Sequence, residues 1–75
     1  MSQLLIEKSL DVADGVKTVF RTPCDYAPGS VRLIENGMLQ TAALDDGWIE
    51  LGGNKVKLKQ PPKVGDVIMF AFRRL

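Results

Sequence analysis

The chain has 75 residues, 45% of them hydrophobic and 25% charged, with a formal net charge of +1, no His and one Cys. That length supports one hydrophobic core, hence a single domain over residues 1–75, and the charge balance argues against strong general attraction to nucleic acid or anionic membrane. Without His, and with Cys24 as the lone thiol, an internal disulfide, a Cys/His zinc site and the His-dependent nucleophile pairs are all excluded. A core this small supplies roughly 3–5 kcal/mol of net stability, so assembly is the remaining means of reinforcement.

The opening MSQLLIEKSL carries no basic segment and no apolar run of signal-peptide or membrane-spanning length, so the expected location is the cytoplasm of the cell that makes it. Short strands are expected at residues 4–7, 10–12 and 17–21, with an Asp14-Gly15 turn before the last of these. Cys24 lies beside Asp25, a charge of the wrong sign for a reactive thiolate, and reads as a free thiol in or near the core.

Two turn signals bracket the next apolar run, in YAPGSVRLIENGMLQ. Pro28 pre-sets φ for the second position of a type II turn and Gly29 supplies positive φ at the third, so Ala27-Pro28-Gly29-Ser30 is read as that turn. Asn36-Gly37 favours a type I′ hairpin turn, whose twist matches its strands, here residues 31–35 and 38–41. Asp45-Asp46-Gly47 then turns the chain into residues 48–51, which pair across Gly52-Gly53-Asn54 with the alternating KVKLK of residues 55–59. Val56 and Leu58 face inward there and the lysines face water, and Pro61 and Pro62, lacking amide donors, end the strand. Gly65-Asp66 leads into the last strand, residues 67–73.

The expected fold is therefore all-β, a small antiparallel β-sandwich or partly open barrel of about seven or eight short strands, with the hairpins suggesting a meander. Alternation places Phe20, Val31, Leu33, Val56, Leu58, Ile68 and Phe70 in one core. In VIMFAF both faces are apolar: Ile68, Phe70 and Phe72 share one, Val67, Met69 and Ala71 the other. Strands of that kind lie between two layers or under another chain, and a small domain has few spare layers. Leu5, Ile34, Val67 and Met69 are accordingly the candidate partner-interface residues, unless the N-terminal segment folds back to cover them.

No catalytic, metal-binding or cofactor-binding constellation emerges. Asp45, Asp46 and Glu50 lack calcium-loop spacing and read as a turn into a strand, and Gly52-Gly53 has neither a following GK[ST] nor a helix to bind phosphate. Arg73 and Arg74 form a short basic stretch that reads as solvated. A single-stranded nucleic-acid binder needs aromatic platforms in a basic groove, and of five aromatic residues only Tyr26 and Trp48 combine a ring with a polar edge.

Taken together, Gly15, Phe20 and Pro23, then Tyr26, Pro28, Gly29, Ser30 and Val31, then Asn36, Gly37 and Gln40 form an ordered pattern. Asp46, Trp48 and Glu50 follow, then Pro62, Gly65 and Asp66 before the final apolar strand. In order and spacing, Leu10 to Phe72 resembles a small β-sandwich module of tailed-bacteriophage and prophage virion proteins, found in tail fibres, neck and head appendages and short accessory proteins. The module more often has Tyr where this chain has Trp48. The resemblance implies a non-enzymatic structural or adhesive role, with other virion proteins or copies of the same chain as partners, and residence in the host cytoplasm and then in the virion. A small single-stranded nucleic-acid-binding barrel and a prophage-encoded toxin-like or regulatory adaptor are the competing expectations. Gly15, Pro28, Gly29, Asn36, Gly37, Gly53, Gly65 and Asp66 are assigned to structural turns.

Overall fold

In the larger of two antiparallel sheets the last strand of the chain lies between the first and the third, so the ends of the sequence are knitted together. The computed structural model describes residues 4–40 and 47–75, and these contain seven strands and no helix. The strands are β1 (Leu4–Lys8), β2 (Val19–Arg21), β3 (Arg32–Glu35), β4 (Met38–Leu39), β5 (Trp48–Gly52), β6 (Lys55–Leu58) and β7 (Ile68–Arg73). The larger sheet has the order β1-β7-β3-β4 and the smaller one β2-β6-β5.

Only β3-β4 and β5-β6 join sequence neighbours, so the expected meander gives way to a fold in which β1 pairs with β7 and β2 with β6. The reason lies in VIMFAF: a strand apolar on both faces is best placed at the centre of a sheet, where neighbours cover its flanks. The strand expected at residues 10–12 is absent. Polar side chains take over the backbone there, since the Asp11 carboxylate accepts the Arg21 amide at 2.9 Å and Ser9 Oγ donates to the Arg21 carbonyl at 2.9 Å. The segment thus crosses from the edge of one sheet to the other instead of forming a ladder. Three other strands start later than expected, at Val19, Arg32 and Ile68, and the part of the second hairpin arm at Thr41 lies outside the described residues.

Between the sheets lies one hydrophobic core. It contains Phe20, Val31, Leu33, Val56, Leu58, Ile68 and Phe70 as alternation required, joined by Ala13, Tyr26, Trp48 and Phe72. Cys24 packs against it as a free thiol. Among the described residues no helix is long and apolar enough to cross a membrane.

Candidate functional site: the outer face of the larger sheet

Residues quoted as a motif do their work inside the fold. Gly29 adopts φ 82° and the Ser30 amide reaches the Ala27 carbonyl at 3.1 Å, which closes the type II turn. Glu50 holds that turn from the other sheet: its carboxylate accepts the Gly29 amide at 2.7 Å and the Val31 amide at 3.1 Å. Asn36 and Gly37, at φ 53° and 83°, have the positive angles of the type I′ hairpin.

Asn36 does more than turn. Its Oδ1 accepts the Val67 amide at 2.8 Å, its Nδ2 donates to Asp66 at 3.1 Å, and Asp66 in turn accepts the Lys63 amide at 2.9 Å. The hairpin and the Pro62 to Asp66 turn are therefore one clamp. Those bonds, the Asn36 amide first and the Lys63 backbone second, hold the Asp66 carboxyl below the usual carboxylate range. Asp11 is lowered chiefly by its side-chain bond to Arg21, with Lys17 also 3.7 Å away.

Tyr26 is buried, and its hydroxyl accepts the Gly52 amide at 2.9 Å and donates to the Lys55 carbonyl at 2.5 Å. It pins the turn between β5 and β6 from below, and burial pushes its phenol up from the ordinary value. Trp48 is also buried, as are all three Phe side chains, so none of the five aromatic rings is offered to solvent as a stacking platform. Of the acidic residues read from sequence as a turn into a strand, Asp45 and Asp46 lie outside the described residues, and Glu50 in β5 holds the Pro28-Gly29 turn. No group of three or more His, Cys, Asp or Glu among the described residues is placed to hold a metal ion.

Exposed aliphatic side chains also occur on the smaller sheet, at Ile49 and Leu51, but the larger set in neighbouring register is on the outer face of the larger sheet. Its register sets Ile6 beside Ala71 and Arg32, Lys8 beside Met69, Ile34 and Leu39, and Leu4 beside Arg73. Side chains alternate along each strand, so with Phe70, Phe72 and Leu33 in the core these neighbours point the other way. The face is an apolar centre of Leu4, Ile6, Ile34, Leu39, Met69 and Ala71. Leu4, Ile6 and Leu39 are 58%, 57% and 66% exposed.

The four interface candidates separate here. Ile34 and Met69 sit side by side in adjacent strands, half-buried, near the middle of the face. Val67 is exposed but precedes β7, where its backbone belongs to the Asn36 clamp. Leu5 is a correction: it pairs with Phe72 and packs against the core, which leaves Leu4 and Ile6 outward. In LLIEK three successive apolar residues leave parity undecided, and only the register with β7 settles it. Nor does β1 fold back over the face; it extends the sheet edge to edge.

The molecule is thus a small two-sheet β protein with a broad apolar surface on its larger sheet and its motif polar side chains committed to internal hydrogen bonds. A scan against protein-family models and searches of curated proteins and of solved structures found no match.

Proposed function

We propose that this chain is a non-enzymatic structural or accessory component of a tailed-bacteriophage or prophage virion, acting through protein–protein assembly at the outer face of its larger sheet. The observation that carries this reading is that face itself. Large exposed aliphatic side chains on the two edge strands, with half-buried Ile34 and Met69 between them, are a surface that an isolated small domain has reason to avoid, and which an assembled one buries. The residue pattern that resembles the virion module supports the setting, and the commitment of its polar members to turns and clamps fits a module whose work is to hold a shape. On this reading the chain folds in the host cytoplasm and then enters the particle.

The single-stranded nucleic-acid reading requires rings on the surface, and the burial of all five favours assembly instead. Mass spectrometry of purified particles from a host carrying the gene tests the proposal, alongside retention of the purified chain on single-stranded DNA. The expected result is a fixed copy number in particles and no salt-dependent retention. A chain absent from particles and held on DNA would require the other reading.

A further inference from the structure

We infer that the occupant of the outer face is a different protein whose docking surface is apolar at its centre and carboxylate-bearing at its margin, not the same face of a second copy. This rests on the docking role proposed above and adds the chemistry of the partner.

Every ionisable side chain at an outward position of the larger sheet is basic. Lys8 lies beside Met69 at one end of β1, Arg73 beside Leu4 at the other, and Arg32 beside Ala71 where β4 no longer extends. The cations therefore ring the aliphatic centre. Arg32 and Arg73 also line one surface cleft together with Pro28, Ser30 and the exposed Leu4, where the Arg32 guanidinium donates to the Val31 carbonyl at 2.9 Å and the Gly29 carbonyl at 3.4 Å. Planar guanidinium groups grouped in this way suit carboxylate oxygens.

The chain supplies little of that charge to them. Two ion pairs, of Asp11 with Lys17 and with Arg21, lie away from this face. Glu7 and Glu35 occupy alternate positions of β1 and β3, paired with Phe70 and Ile68 on the inner side of the register. Asp11, Asp14, Glu50 and Asp66 each accept backbone amides that hold turns.

An isologous dimer through this face would bring Lys8, Arg32 and Arg73 of each copy toward those of the other, with no acid at an outward position of the described strands. Like-charge juxtaposition of that kind is how interfaces reject a wrong partner. Lipid and nucleic acid are also anionic, but the shape of the face favours protein. Ile34 and Met69 are half-covered by their neighbours and Ala71 is buried, so the middle strands offer no protruding side chain to insert among acyl chains, and no ring is available to stack on bases. A sheet face is matched by another sheet packed about 10 Å away.

The probe is a charge-reversed form of the chain itself, Lys8→Glu/Arg32→Glu/Arg73→Glu, which presents the same aliphatic centre with carboxylates around it. Because Arg32 also donates to the Val31 carbonyl at 2.9 Å, a second form, Lys8→Glu/Arg73→Glu, leaves that bond intact. Each folded form is sedimented alone, with wild type, and with wild type carrying Ile6→Lys, at low and high salt. The expected result is that wild type and variant are each monomeric, that their equal mixture forms a heterodimer, that salt weakens it about tenfold or more, and that Ile6→Lys abolishes it. Wild-type self-association abolished by Ile34→Lys would overturn the inference about charge while leaving the face as a docking surface. A mixture no more associated than its components overturns the inference as well. So does wild-type binding to phosphatidylserine vesicles or oligo-dT that charge reversal removes. Failure of the docking role itself has a different signature, normal entry of Ile34→Lys chains into particles.

Discussion

Replacing Tyr26 with Phe removes one oxygen atom and separates two roles for this side chain. The ring stays, so any stacking or packing function survives; the hydroxyl's bonds to the Gly52 amide at 2.9 Å and the Lys55 carbonyl at 2.5 Å do not. Both partners flank the turn between β5 and β6, and the hydroxyl lies within a residue that is 2% exposed. Each bond of this type contributes about 0.5–1.5 kcal/mol net, and a stranded buried partner adds to the loss, so Tyr26→Phe should cost about 1–3 kcal/mol. Against a total of roughly 3–5 kcal/mol for a core this small, that is a large fraction. In a domain of this length each kcal/mol moves Tm by roughly 4–8 °C, so a drop on the order of 10 °C is expected. Urea denaturation followed by Trp48 fluorescence should show a lower midpoint with an unchanged slope. A loss below about 0.5 kcal/mol would refute the assignment of Tyr26 to internal pinning.

Gly37→Val should destabilise by about 1 kcal/mol or more, through backbone strain alone, because φ is 83° and the space around a new Cβ is empty; thermal melts against wild type measure it. Phe70→Ala, at a fully buried position in the central strand, should cost about 3–5 kcal/mol and leave most chains unfolded by circular dichroism; an unchanged Tm contradicts the core described above. The carboxyls of Asp11, Asp14 and Asp66 are lowered by hydrogen bonds in the folded chain. Their contribution is therefore complete above the unfolded carboxyl value of about 3.9 and is lost as pH falls through the lower folded values. Denaturation from pH 7 to pH 2 should accordingly show a decline beginning near pH 4 that Asn36→Gly makes shallower, since it removes the first of the bonds that lower Asp66. Titrated by absorbance, Tyr26, the one tyrosine, should ionise above its ordinary value of about 10 while the fold persists.

Turns were the most legible part of the sequence, because Pro28-Gly29 and Asn36-Gly37 dictate backbone angles through local sterics alone. The core was nearly as legible, since strict alternation in KVKLK admits one inward set, Val56 and Leu58. Topology was not. Pairing β1 with β7 joins residues at opposite ends of the chain, and no local pattern encodes that choice. The candidate site inherited the same limit: Ile34 and Met69 could be placed from parity, whereas Leu4 and Ile6 displaced Leu5 only once the register was known. Side-chain bonds over long separations, such as Glu50 to the Pro28-Gly29 turn and Asn36 to Asp66, were hidden for the same reason. The sequence neighbours of Asn36 and Glu50 do not include the partners of their side chains.

The measurement closest to the central claim follows one substituted face into particles. Ile34→Lys and Ile6→Lys place a cation in the aliphatic centre of the outer face, and Val64→Lys places one at a loop residue that is 77% exposed and away from it. Each is expressed in a host lacking the wild-type copy, checked for an unchanged fold, and quantified in purified particles by mass spectrometry. Val64→Lys should enter particles at wild-type copy number, and both isoleucine variants should remain in the cytoplasmic fraction as folded chains. Folded isoleucine variants recovered in particles at the wild-type copy number would contradict the central claim.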